Sequence, residues 1–327
     1  MTYVEQEKIR AAAWKAHTHT LPTEARAPGG YVRQDETVGT TGNDFCLPAA
    51  YATHALLEQA RQPALALFAE LGIPWHAGVA GGPSNHLVSS QVQCVNALMG
   101  MVSDPTRLRR AFGELLGIDE VLQIEPGRYL TFEYIGPTDY FGEVPGGERV
   151  RGARCTSIDA ALLHRAKDGD VELVLVEWKY TESYRARRPD PAKDAVREQR
   201  YGRAVADPNG PIRADVLPFE LLLDEPIYQL VRQQLLAHAL EQDQAEGADR
   251  VRVLHVLPQD NVEYQQSLHR PEQIALGPTV GELWQRLLRR TDRFLSVDPR
   301  VFLDPEITSR EYVLRYGDKS ASEEDHT

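Results

Sequence analysis

Cysteine is scarce in this chain of 327 residues: Cys46, Cys94 and Cys155 are the whole complement, an odd number with wide spacing. That spacing builds neither a disulfide framework nor a C-x2-C zinc site, so the three read as small buried hydrophobes. No apolar run reaches the roughly 18 residues a membrane-spanning helix requires. The opening MTYVEQEKIRAAAWKAH mixes acids and bases and lacks the apolar stretch of a secretory signal, so a cytoplasmic protein is expected. Positive charge is in deficit, with 36 Lys and Arg against 48 Asp and Glu and a net charge of -12. A surface coated in nucleic acid is therefore excluded, although a local basic channel is not. The phosphate loop G-x-x-x-x-G-K-[ST], a dinucleotide G-x-G-x-x-G after a strand, and the G-x-S-x-G elbow are all missing. Nothing resembles a helix-turn-helix reader or a zinc finger, so base specificity is not legible.

What is present fits an ordinary globular protein, with 42% hydrophobic and 26% charged residues, long enough for two domains or one α/β core with insertions. Residues 3–16 read as an amphipathic helix, and the Pro, Gly and Thr-rich stretch 18–42 as an irregular arm. A helical pattern over 51–71 is expected to be broken in two by Pro63. Val88, Val92, Val95, Met99 and Val102 form one buried helical stripe. Gln91 falls on that packed face, as an amide bonded to backbone at a sheet edge or as a polar group aimed into a site. Beyond a short helix over 108–116 come strands in VLQIEP and RYLTFEYIG. A hairpin follows, CTSIDAALLHR and VELVLVEWKY, turning at Asp168 and Gly169. Residues 181–218, rich in proline and charge, read as a long excursion outside the core. A helix over 224–242 and the strand RVRVLHVLP complete an α-β-β-β-α-β order. The acidic tail from Gly317 is expected to be disordered.

The hairpin carries the chemistry. Glu177 and Lys179 share one face by period-two geometry, and LVLV before them is apolar on both faces, as in a central strand. Asp159, on the preceding strand, lies nearly as far from the turn as Glu177, so the two carboxylates should be neighbours across the ladder. They repel unless a cation sits between them. Mg2+ suits that position, since it takes one or two carboxylates and completes its shell with water and phosphate oxygen. A nearby lysine can orient or deprotonate the attacking water and stabilise developing negative charge.

With those residues in place, the chain resembles the PD-(D/E)XK, or restriction-endonuclease-like, nucleases over roughly half its length, about residues 87 to 257. The matching residues are Asp159 in TSIDAALLHR and Glu177 and Lys179 in LVLVEWKY; Ile158 stands where the motif has proline. HLVSSQVQCVN, RGARCTSIDAAL, VEWKYTESY and YQLVRQQLLAHAL are similar to a bacterial group classed with the restriction endonucleases. The resemblance implies an α/β fold with a mixed α-β-β-β-α-β sheet flanked by helices, extended at both termini. It divides the chain into an arm with helices over 1–86, a nuclease core over 87–260 carrying a basic insertion at 181–218, and a helical extension with an acidic tail over 261–327. It implies a Mg2+-dependent endonuclease, with Mn2+ as a substitute, in which Asp159 and Glu177 hold the metal and Lys179 acts on water. A further acidic or amide residue completes such sites; Gln91 is the first candidate and Glu133, in YLTFEYIG, the second. Gln234, on an apolar stripe with His238, is another residue that could line the site.

Between Thr181 and Ala204, seven positive side chains, Arg185, Arg187 and Arg188 among them, face four acids, which reverses the sign of the whole chain. A flap that tracks phosphates needs such a reversal, and Arg149, Arg151 and Arg154 add to the same neighbourhood. Arg286, Arg289, Arg290 and Arg293 are spaced as one basic helical face, solvated or bound to a nucleic-acid backbone. The expected partners are nucleic acid, DNA before RNA, and a second copy of the chain, with no membrane. A non-catalytic nucleic-acid-binding module of the same fold, and an RNA-cleaving toxin-like enzyme, stay open as alternatives.

Overall fold

The β-branched and leucine-rich hairpin forms as its pattern predicts. The computed structural model describes residues 1–33 and 38–317, so the acidic tail beyond Gly317 lies outside the described residues. In chain order, helix α1 (Tyr3–His17) precedes a two-stranded ribbon, β1 (Gly29–Val32) and β2 (Val38–Asn43). Helices α2 (Glu58–Leu71), α3 (Ser90–Leu98) and α4 (Pro105–Leu116) lead into strands β3 (Ile118–Leu122), β4 (Leu130–Tyr134), β5 (Ile158–Ala166) and β6 (Val171–Trp178). Short helices α5 (Pro191–Arg197) and α6 (Arg203–Ala206) lie in the excursion, before the long α7 (Ile227–Gln242) and β7 (Arg250–Val256). The chain ends through α8 (Val262–Gln265), α9 (Pro271–Leu276), α10 (Val280–Leu287), β8 (Phe294–Val297) and α11 (Arg310–Tyr316).

Strands β3 to β8 make a mixed sheet. β5 and β6 pair antiparallel, β6, β7 and β8 run parallel, and β3 and β4 share the other edge of β5. Val174, Val176 and Trp178 face a core built with α1, α2, α3 and α11, while Leu173 and Leu175 face one built with α7 and α10. Each such buried aliphatic side chain contributes roughly 1.5–3 kcal/mol of transfer free energy. Residues from both termini, Trp14 and Tyr312 among them, meet in the first core. Among the described residues no helix is long and apolar enough to cross a membrane.

Four local expectations are corrected. Pro63 does not break α2: it lies on the exposed side of a continuous helix, where water can satisfy the carbonyl it leaves unbonded. The break falls earlier, at the extended Leu56 and Leu57, after a separate turn over Ala49–Ala55. The arm 18–42 holds the β1–β2 ribbon, fastened by Asn85, whose Nδ2 donates to the Gly30 and Leu47 carbonyls at 2.8 and 2.7 Å. The excursion 181–218 is partly core, since Tyr201, Val205, Ile212 and Leu217 are buried against α7. The basic helical face dissolves because α10 stops at Leu287, where the Arg213 N–H captures the Leu287 carbonyl at 2.7 Å and the chain goes on to become β8. Arg289 pairs with Asp215, and Arg290 and Arg293 with Asp292 and Glu241.

One buried carboxylate ties the start of the excursion to the body of the protein. Asp224, only 5% exposed, accepts from Arg187 Nε at 2.9 Å and Arg270 Nε at 2.5 Å, while Arg187 also forks onto Asp194 at 2.8 and 2.9 Å. Burial pushes the Asp224 carboxyl up, but the hydrogen bonds and charges of Arg270 and Arg187 outweigh it and hold it below the usual aspartate range. Stability from a depressed carboxyl is present above its unfolded value of about 4 and lost as pH falls through the lower folded value. Asp224→Asn should cost about 1.5–3 kcal/mol near neutral pH, a charged hydrogen bond's worth. Thermal unfolding should show the gap to the parent narrowing as pH drops below about 4; a gap independent of pH would mean that no ion pair is involved.

Candidate active site

The strand registers bring three carboxylates level. Phe132 and Tyr134 of β4 pair with Ala160 and Ile158 of β5, which sets Glu133 beside Asp159. Ala160 pairs with Val176, so the next step sets Asp159 beside Glu177. The Trp178 backbone N–H donates to Asp159 Oδ2 at 2.6 Å and locks that step. Glu177 and Lys179 are 2% and 6% exposed, which makes them buried ions, and Lys179 Nζ donates to Glu177 Oε1 at 2.6 Å. Gln229 of α7 gives the same oxygen a second donor at 2.9 Å.

Glu133 is placed by backbone as much as by side chain. Its φ of 49° lies in the left-handed region, rare for a residue with a Cβ, and the alternation of β4 resets there: Phe132 faces one core and Tyr134 the other. Such a conformation costs on the order of 1–3 kcal/mol and persists where surrounding contacts impose it. Ser157 Oγ donates to Glu133 Oε2 at 2.8 Å and Gln91 Nε2 to Oε1 at 3.1 Å. Gly152, opposite, leaves no room for more, because a Cβ there would lie 3.1 Å from the Glu133 carboxyl carbon.

The electrostatics follow from burial. Asp159 is pushed well above the usual aspartate value by burial first, then by the charges of Glu177 and Glu133. Burial likewise raises Glu133, against the hydrogen bonds from Ser157 and Gln91. Burial opposes the charge on Lys179, but Glu177, with Tyr184, Glu182 and Asp159, outweighs it and keeps the amine protonated. His255 of β7, paired with Glu177, is lowered to about 3 by burial and by Lys179, so it stays neutral beside the Tyr264 hydroxyl at 3.3 Å.

These groups lie along one cleft of about 970 Å³, whose lining includes Gln91, Glu133, Asp159, Glu177, Lys179 and Gln229. Gln91 does both things its position allowed. It bonds backbone, accepting the His76 N–H at 2.8 Å, and it reaches Glu133 in the cleft. It is half-buried at the cleft wall and not on a fully packed face. Gln234 is buried in α7 and does not line the cleft; Gln229, five residues earlier, does. No sequence signal separated them, because only the docking of α7 on the sheet decides which glutamine reaches Glu177. Ser157 gave no signal either. Arg154, Arg185 and Arg188 are exposed and outside the cleft lining, and Arg187 is engaged by Asp194 and Asp224.

Among the described residues, no three His, Cys, Asp or Glu side chains gather closely enough to enclose a metal ion alone. A pair of carboxylates is what a hydrated Mg2+ takes, and Asp159 with Glu177 supplies one. The donor set also fits by charge, since four carboxylates, Glu133, Asp159, Glu177 and Glu182, line the cleft against two cations, Lys179 and Arg33. With metal chelated away, Asp159→Asn should therefore raise the melting temperature by a few degrees, about 1 kcal/mol of relieved repulsion. Differential scanning fluorimetry in EDTA measures this, and a lower melting temperature would show that Lys179 already balances the row.

A mixed α/β sheet with acids and an amine at the end of its central strands defines the class of protein to which this one is compared. The profile of the family described as restriction endonuclease associating with ARP matches residues 8–317, and the chain belongs to that family. Membership points to a nuclease and so to interaction with nucleic acid. Comparison with curated proteins and with solved structures returns no match.

Proposed function

We propose that the protein is a Mg2+-dependent phosphodiester hydrolase, an endonuclease acting on DNA, with its site at the level row of β4, β5 and β6. The observation that carries this reading is the meeting of Asp159, Glu177 and Lys179 on one cleft wall from adjacent strands. The run from α3 to β7, with three antiparallel pairings and a parallel one after α7, is read as the nuclease core.

Asp159 and Glu177 would hold the metal, while Glu133, already held by Ser157 and Gln91, stands beside them in the row. Mg2+, when bound, supplies Lewis-acid polarisation of the phosphoryl group and an acidified water. The chain's own residues do the rest. The Trp178 N–H holds Asp159 by Oδ2 and the Gln229 amide holds Glu177 by Oε1, which fixes the orientation of both carboxylates. Gln91 and Ser157 hold Glu133 against its own backbone strain. Lys179, charged and short of solvent, donates toward the attacking water and toward the negative charge that builds on the phosphoryl oxygens, where a buried donor counts for more than in water. The exposed Arg185 and Arg188 of the excursion, and exposed Arg154, are left to contact the flanking phosphates.

Purified protein incubated with plasmid, single-stranded DNA and RNA tests the reading. Cutting should require Mg2+ or Mn2+ and stop with EDTA. Asp159→Asn, Glu177→Gln and Lys179→Met should each lower the rate by about a hundredfold or more, the scale of losing one preorganised electrostatic group, with circular dichroism unchanged. Undiminished cutting by these variants rejects the assignment.

A further inference from the structure

The cleft that holds the acidic row has a second wall, made by the β1–β2 ribbon and the loop at Trp75, which the phosphodiester chemistry leaves unused. Tyr31 of β1 lines it and remains 36% exposed, unusual for a large aromatic ring. One face of Tyr31 is backed by His86, ring centroids 4.9 Å apart and planes 24° from parallel. Trp75, beside it, is backed by Phe68 at 4.0 Å and 14°.

Both rings stand on rigid supports. The ribbon is pinned at its root by buried Asn85 and by Lys15, whose Nζ donates to the Ala27 and Cys46 carbonyls at 3.1 and 2.9 Å. Gly29 permits the close approach, because a Cβ there would fall 2.0 Å from the Leu47 carbonyl oxygen. The Trp75 loop is tied by the His76 N–H to Gln91, and through Gln91 to Glu133. Aromatic wall and acidic row are thus one framework.

Charge tells what this wall is for. Among the described residues the cations lining the cleft are Lys179, already bonded to Glu177, and Arg33, against Glu133, Asp159, Glu177 and Glu182. Such a balance grips a phosphate backbone poorly, and a duplex presents mostly backbone to a cleft. The His86 ring is held neutral, lowered to about 4 by burial and then by His76 and Lys8, and its Nδ1 is buried without a partner. A neutral imidazole stacked under an exposed phenol is a surface for another flat ring.

We infer that the Tyr31–His86 stack is a platform for an unpaired nucleobase, placing a single strand so that its phosphodiester lies at the Asp159, Glu177 and Lys179 row. The inference rests on the nuclease reading for where the phosphate goes, but base stacking is read by binding alone. The same unpaired base can come from single-stranded DNA, RNA or a flipped nucleotide in a duplex.

Fluorescence anisotropy of the full chain in EDTA, with labelled single-stranded DNA, single-stranded RNA, the matching duplex and an abasic strand of equal charge, tests it. A single strand of DNA or RNA should bind more tightly than the duplex and the abasic strand. Tyr31→Ala should weaken that binding about tenfold, within the range of one base stacked on one aromatic ring, while Tyr31→Phe retains it. Tyr31→Ala binding as the parent does, an abasic strand bound equally well, or no binding at all overturns the inference. Tyr31-dependent binding without any metal-dependent cutting sinks the hydrolase and leaves the platform standing; cutting with binding indifferent to Tyr31 does the reverse.

Discussion

The Glu177 carboxylate and the Lys179 ammonium meet at 2.6 Å where β6 leaves the sheet, at the end of a strand whose preceding residues face two separate cores. Desolvating either ion alone costs several kcal/mol, and breaking such a buried pair about 3–5 kcal/mol, so neither residue is placed independently of the other. The rest of the cleft is arranged around that constraint. Gln229 adds a donor to Glu177, the Trp178 N–H fixes Asp159, and Asp159 in turn carries the register out to Glu133. Because each link is backbone pairing or a hydrogen bond to a buried group, the site is rigid before any ligand arrives.

The same strand shows what a purely structural ion looks like. Glu172, at the far end of β6 and fully buried, is met by both Arg250 and Arg252 of β7 at 2.8 Å, and Arg250 also reaches the exposed Asp168 and Asp170. At the cleft four carboxylates, Glu133, Asp159, Glu177 and Glu182, share two cations, Lys179 and Arg33. Repulsion among acids is a stability cost that a fold removes unless something else resolves it. The strained Glu133 backbone sits at the same spot, which fits the tendency of such strain to collect at functional sites.

The elements outside the sheet serve the cleft from two sides. The amino-terminal ribbon, fixed by Asn85 and Lys15, supplies its aromatic wall, and α7 supplies Gln229 from the other face of the sheet. The excursion 181–218 borders the cleft only at Thr181 and Glu182; beyond them Arg187, Arg197 and Arg200 of its basic run are tied to Asp224, Leu223 and Glu143, while Arg185 and Arg188 stay exposed.

Much of this was legible in sequence because it depends on short-range periodicity. Alternation and a polar turn define the β5–β6 hairpin, and counting back from Asp168 and Gly169 is enough to set Asp159 beside Glu177. The run LVLV marks a strand buried on both faces, and Lys179 follows on the same side as Glu177. Residues joined by distant contacts were not legible. Gln229 differs from Gln234 only in where α7 lands, Tyr31 becomes a cleft wall only because Asn85 clamps the ribbon fifty-odd residues away in sequence, and the arginines after Leu287 leave helix because residues 211–213 capture that backbone. Local pattern thus determined the strand pair of the candidate site and its charges, since a pleat repeats every two residues whatever surrounds it. Tertiary packing decided the third carboxylate, the supporting amides and the aromatic wall, since those are set by which surfaces exclude water together, and that is a property of the whole chain.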